Sequence, residues 1–202
     1  MLQLSSEKED RLCQGDIYRD IHFVEEVIVE GDAIDVRRVL FPFVIVLTQD
    51  CDLQQDHSYR WPLATDKKRI NHDKRILSAL VAPIYNAEHF ATGSHLEQLQ
   101  MKMGEFAKKS RDYGFLTSNQ NQRYHFLKFP PQVQIVDSVV DFKHYFSVSV
   151  EYMKRSRPSQ FVAKIGDLYR EDICQRFAAY LSRIGLPNEP AAILPPPAAS
   201  AP

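Results

Sequence analysis

The sequence predicts an α+β protein, mainly β, in which a small curved sheet carries an inserted amphipathic helix and a C-terminal helix. Three observations lead there. Phe43-Val44-Ile45-Val46-Leu47 is apolar on both side-chain parities and rich in β-branched residues. Such residues are stiff at χ1 and suit a strand covered on both faces. Shorter runs on either side alternate apolar and polar residues with the two-residue period of a strand. Near the end, apolar residues recur at helical spacing between Asp167 and Gly185, a start and a stop signal.

At 202 residues, 44% of them hydrophobic, the chain can bury a core of its own. Residues 13–187 are expected to form one domain between a flexible charged lead-in, 1–12, and a disordered Ala/Pro tail, 188–202. A net charge of -1 excludes a global basic field, although a local basic patch is compatible with it. Cys13, Cys51 and Cys174 are odd in number and contain no C-x-x-C pair. They fit reduced thiols and argue against a disulfide framework or a cysteine zinc site. The first ten residues lack a basic and apolar leader, and no segment approaches the ~20 apolar residues of a membrane span. A cytoplasmic protein with no membrane partner and no cofactor is therefore expected.

Each element follows from local chemistry. Gly15 frees the backbone ahead of a strand beginning near Asp16. Phe23–Glu30 and Ala33–Leu40 read as two strands joined by Gly31-Asp32. Ile34, Val36 and Leu40 share one parity while Asp35 and Arg37 take the other, the alternation of a half-exposed hairpin. Pro42 cannot donate to a ladder and is placed at the first residue of the central strand. Residues 54–75 are polar and basic, a long and partly mobile excursion of the kind that is usually functional or disordered. Residues 76–84 return to a strand. Ser94-His95-Leu96-Glu97 has a capping-box pattern, and Leu96, Leu99, Met103 and Phe106 follow at helical spacing, predicting a helix over 95–109. Residues 123–129 form a strand closed by Pro130-Pro131, and 133–140 and 144–152 supply further β structure. Asp167 caps the last helix and Pro187 blocks its continuation; Ile173, Phe177, Tyr180, Leu181 and Ile184 make its apolar stripe.

Three landmarks occur in order: Gly15-Asp16-Ile17-Tyr18, the run from Pro42 to Asp50, and Leu80-Val81-Ala82-Pro83-Ile84. Over roughly the first 85 residues the chain thereby resembles the MazF/PemK family of toxin endoribonucleases. The resemblance implies an SH3-like (MazF-like) small barrel. It also implies a bacterial toxin–antitoxin or phage-defence component that acts on or binds nucleic acid, RNA above all, with an antitoxin or defence-system protein as partner. Two departures matter. The family's catalytic arginine position holds Phe41, and its catalytic hydroxyl position holds Tyr85. Phe41 cannot stabilise charge during phosphodiester cleavage, so the family's mechanism does not carry over. A degenerate barrel whose groove binds a protein partner is the alternative.

Two groups of residues are candidates for chemistry. Thr48, Asp50, Cys51 and Asp52 sit where a buried strand meets a loop, a place where rigid scaffolds present functional groups. They define a third reading, a nuclease-like hydrolase. Asp50 and Asp52, with Asp16, offer oxygens to a hard cation but lack a third defined ligand. Cys51 is a nucleophile only if His57 or His22 serves it as a base, and the flanking carboxylates oppose a thiolate. Turn formation and a small buried cysteine explain the same residues. The second group is Arg60, Trp61, Lys67, Lys68, Arg69, Lys74 and Arg75. Across 54–75 the basic residues outnumber the acidic by three, and Tyr59 and Trp61 interleave as stacking groups. Single-stranded nucleic acid is held in this way, and a solvated loop has the same composition. The histidines show no metal-ligand spacing.

Overall fold

The computed structural model describes residues 2–5, 9–62 and 71–183. Within them the chain runs β1 (Asp16–Glu30), β2 (Ala33–Val46), α1 (Asp50–Arg60), β3 (Ser78–Asn86), α2 (Ala87–Ala91) and α3 (Arg111–Thr117). It continues through β4 (Tyr124–Leu127), β5 (Ser138–Asp141), β6 (Phe146–Ser149), α4 (Val150–Gln160), β7 (Phe161–Lys164) and α5 (Asp167–Leu181). The strands make one antiparallel sheet in the order β4-β5-β3-β2-β1-β7, with β6 also on β3. It curls into a half-barrel. Strand β3 is where the sheet divides: Ser78–Val81 pair with β6, Ile84–Asn86 pair with β5, and Pro83 lies between the two ladders.

The end of β2 occupies the middle of the fold. Val44 and Val46 bury into one cluster with Tyr18, Ile21, Val81 and Met153. Ile45 and Leu47 bury into a second cluster with Ile17, Ala82, Ile173 and Phe177. Successive side chains of a strand point to opposite faces, so an unbroken apolar run requires two covered faces. Here α5 covers one face, while Leu53 of α1, Phe90 of α2, Leu116 of α3 and Met153 of α4 join the cluster on the other.

Strands β1 and β2 are far longer than their neighbours. β7 pairs only with Asp16–Tyr18 and β3 only with Val44–Val46, so the rest of the hairpin projects as a two-stranded arm with a bulge at Glu25. Pro42 therefore sits inside β2 rather than at its start. It is tolerated because β2 is an edge strand at that level.

Several local expectations are corrected. Residues 54–60 belong to α1, and the carboxylate of the buried Asp56 accepts hydrogen bonds from the Arg60 guanidinium and from the Ile76 amide at 2.9 Å. The excursion is thus tied back to the body at both described ends. Residues 95–109 are no helix apart from a 3₁₀ turn at Glu97–Leu99. Gly93 and Gln100 take left-handed backbone angles of φ 71° and 57° and turn the chain. The Ser94 hydroxyl bonds to Thr92 and to the His89 carbonyl instead of capping, and the amides of Met103 and Phe106 reach back to the carbonyls of Gly93 and Ala91. Leu96, Leu99, Met103 and Phe106 still pack on the core, but from a wrapped loop.

Residues 150–152 open helix α4 rather than extending a strand, because Ser149 accepts from the Tyr152 amide as an N-cap. β5 begins only at Ser138. Gly166, not Asp167, is the N-cap of α5; Asp167 is its first residue and pairs with Arg170 at 3.1 Å. Ile173, Phe177 and Tyr180 are buried, whereas Leu181 is half exposed. Ile184, Gly185, Pro187 and the tail 188–202 lie outside the described residues. The described part of the lead-in packs on the body: Leu2 is buried, Leu4 bridges Ile165, and the Gly166 amide donates to the Gln3 carbonyl at 2.8 Å.

Candidate functional site: a ring-walled cleft at Tyr85 and His144

The residues expected to carry chemistry after the central strand are placed as follows. The Thr48 hydroxyl accepts the Leu80 amide at 2.6 Å and stitches β2 to β3. Asp50 opens α1, where a carboxylate suits the positive end of the helix. It is held by both nitrogens of the Arg11 fork, at 3.0 and 2.8 Å, and accepts the Gln14 amide at 3.1 Å. Arg11 and that amide hold its carboxyl below the usual range even against partial burial. Cys51 and Asp52 are exposed, and the hydrogen-bond neighbours of the Cys51 sulfur are Gln49 and Asp52, not an imidazole. His57 lies farther along the same helix and packs on Trp61, with ring centroids 5.4 Å apart.

Asp16 is not part of that group. It is fully buried, with Arg157 at 2.6 Å and the Cys13 amide at 2.9 Å, and Arg157 also donates to the Tyr18 hydroxyl at 2.9 Å. Burial outweighs these partners and raises its carboxyl to about 6. The same burial, with Asp16 beside it, pushes the Cys13 thiol up to about 12, which keeps it neutral. This constellation joins β1 to α4. Among the described residues no group of three or more His, Cys, Asp or Glu side chains is arranged to hold a metal ion.

The basic group is divided. Arg60 is folded onto Asp56, Glu151 at 2.9 Å and the Ile76 carbonyl. Trp61 packs on the core, and Arg75 donates to the Tyr59 carbonyl at 3.3 Å. Lys74 closes a short 3₁₀ turn and is half-buried. Lys67, Lys68 and Arg69 lie outside the described residues.

The structure brings together a different set. Asp141 is completely buried at the end of β5 and receives the Arg123 fork at 2.8 and 2.6 Å. Its carboxylate also caps the following 3₁₀ turn through the Lys143 amide at 2.9 Å, and that turn brings His144 back over it. His144 Nδ1 then lies 3.5 Å from Asp141 Oδ2 and 3.0 Å from the Tyr85 hydroxyl. The tautomer of His144 sets which of the phenol and Nδ1 donates in that hydrogen bond. Burial holds the His144 imidazole below the usual histidine value although Asp141 pulls the other way, and burial raises the Tyr85 phenol. Both are neutral near pH 7. His95 stacks on Phe90 at 4.4 Å and sits 4.7 Å from Tyr85, with both ring nitrogens buried and unpartnered; burial lowers it to about 4.

Tyr85 stands between two concavities. One, of about 230 Å³, is walled by Phe23, Phe41, Tyr85, Tyr145 and Phe146, with His144 among its few polar groups. The other, of about 480 Å³, is more polar and includes Asn86, His89 and His95. No lysine or arginine appears among the described residues lining either one. Phe41 and Tyr85 meet edge to face, with centroids 6.3 Å apart.

Reading residues one at a time treats His95 and His144 as ordinary surface histidines. The one local signal was the Asp141-x-x-His144 spacing, which a 3₁₀ turn converts into a contact. Arg123 arrives from the bend just before β4 and Tyr85 from β3, and neither leaves such a trace. No protein-family model matches this chain, and no curated protein matches it either.

Proposed function

We infer that the half-barrel is a non-catalytic interaction module whose cleft at Tyr85 and His144 receives an apolar or aromatic side chain of a protein partner. The observation that carries this reading is the composition of the cleft: five aromatic rings around a neutral imidazole, with no cationic side chain among the described lining residues. Rings of this kind desolvate an anchor residue, and the few polar groups of the wall, His144 and Glu25 among them, fix its orientation. A volume near 230 Å³ falls below the roughly 300–1,000 Å³ of pockets for whole small ligands. It suits one side chain.

A second reading keeps the expected role in nucleic acid binding, in a toxin–antitoxin or phage-defence setting. What favours it is the meeting of Phe41 and Tyr85, the two positions matched to the catalytic positions of the MazF/PemK family, beside an imidazole able to take a proton. Cleavage of a phosphodiester also needs positive charge at the developing oxyanion, and the cleft supplies none among its described residues. Stacking of one unpaired base is the form this reading takes.

One experiment separates the two. A random peptide library is selected on the immobilised protein, and a fluorescein-labelled single-stranded RNA of mixed sequence is titrated in parallel. The variants Met101→Asp and Tyr145→Ala alter exposed positions on the rim of the cleft. Enriched peptides are expected to share an aromatic or aliphatic anchor and to lose binding to both variants. Saturable RNA binding that falls with salt and is lost in the same variants, with no anchored peptide enriched, would establish the nucleic-acid reading instead.

A further inference from the structure

The arm formed by β1 and β2 turns its apolar face outward. Counted across the bulge at Glu25, the pairs His22↔Leu40, Val24↔Arg38, Val27↔Val36 and Val29↔Ile34 share one face. Val24, Val27, Val29, Ile34, Val36 and Leu40 are between 42% and 68% exposed. The opposite face carries Glu26, Arg37 and Asp35, with Glu26 and Arg37 paired at 3.2 Å. An isolated hairpin is marginal in water, and a contiguous apolar strip on a projecting arm marks an interaction surface.

We propose that this face packs against the same face of a second copy of the chain, the two arms lying antiparallel about a twofold axis. Charge distribution selects that occupant. The base of the face carries Arg38 and His22, whereas Asp32 stands in the turn at the tip; Glu30, opposite Ala33, belongs to the other face. Antiparallel arms set each basic base over the partner's acidic tip, and an isologous interface makes that contact twice. A recess of about 510 Å³ at the base, lined by His22, Val24, Val36, Arg38 and Tyr152, receives the opposite turn.

The area is sufficient. An aliphatic side chain offers roughly 100 Å² when fully exposed. At about half exposure, six of them from each copy remove about 650 Å² of apolar surface from water. With an apolar fraction near 65% the whole interface comes to about 1,000 Å², the lower bound for a specific, reversible one. This face lies on the other side of the arm from the cleft at Tyr85, to which Phe23 and Val39 contribute. Phe23 lines both the cleft and the recess, but the dimer does not rest on what the cleft binds.

Sedimentation equilibrium of the full chain over about 1–100 μM should give twice the 23.3 kDa chain mass at the upper end. Ile34→Glu and Val29→Glu change exposed positions, so circular dichroism should be unaltered while the dimer Kd rises roughly 30-fold or more. Arg38→Glu and Asp32→Arg should each weaken the dimer, and the double variant should restore it. A monomer throughout the range overturns the proposal, whatever then covers the face. A dimer indifferent to Ile34→Glu and Val29→Glu places the interface elsewhere and overturns it too. Failure of the double variant to restore association overturns the antiparallel arrangement.

Discussion

Replacing Asp56 should show whether the start of the long excursion is structural. The carboxylate is fully buried and serves two masters: the Arg60 guanidinium, with contacts of 2.6 to 3.2 Å, and the Ile76 amide at 2.9 Å. Removing one partner of a buried ion pair typically costs about 3–5 kcal/mol. Here Arg60 keeps the exposed Glu151 and the Ile76 carbonyl, so Asp56→Asn, which preserves an oxygen for Ile76, should cost about 2 kcal/mol. Asp56→Ala strands the Ile76 amide as well and adds about 1–3 kcal/mol, for a total near 4. For a domain of this size each kcal/mol lowers Tm by roughly 2–4 °C. Thermal melts should therefore show a loss of about 4–8 °C for the Asn variant and about twice that for Ala. A drop under about 2 °C for Asp56→Ala would mean that α1 is not anchored to β3. Arg60 would then be free for the nucleic-acid role that its sequence neighbourhood suggests.

Three further outcomes follow from packing and charge. Phe177→Ala removes a buried ring that contacts Phe142 and Tyr145 at centroid distances of 5.5 and 5.4 Å, and denaturant melts should show a loss of roughly 3–5 kcal/mol. Gly93→Ala would set a methyl 2.5 Å from the Met103 carbonyl oxygen at a positive φ, so at least about 2 kcal/mol should be lost; a neutral result in the same melts would mean that the 93–103 loop closure is absent. His125 is buried and held down to about 3 by burial and Arg176. Its folded value is depressed, so its contribution is intact above about pH 6.5 and is lost as pH falls towards 3, by roughly 3 kcal/mol at pH 4. Asp16, raised to about 6, works in the opposite sense between about pH 6 and 4. The measurement is therefore Tm against pH for the parent and His125→Phe, in which the parent should lose Tm relative to the variant on acidification.

Legibility followed chain distance. The central strand was readable because an apolar run on both parities admits only a doubly covered position, and Val44 to Leu47 occupy one. The Gly31-Asp32 turn and the stripe of Ile173, Phe177 and Tyr180 were readable because neighbours in sequence settle them. The loop at 94–106 was misread because Leu96, Leu99, Met103 and Phe106 suit a helix and a wrapped loop equally, and Gly93 decides between them only through the tertiary hydrogen bonds it permits. The hairpin's alternation was legible but its sense was not: periodicity separates two faces without saying which is covered. Beyond the Asp141-x-x-His144 spacing, the group with Tyr85 and Arg123 left no trace because β3, β4 and β5 meet only in the folded sheet.

The pairing of β1 with β7 also sets a clock. Asp16 is opposite Lys164, and its carboxylate depends on Arg157. At about 5–20 residues per second, roughly 7–30 s of synthesis separate the first strand from the residues that complete it. Throughout that interval the β1–β2 hairpin has an unpaired edge and an apolar face in water, the condition under which nascent sheets associate wrongly.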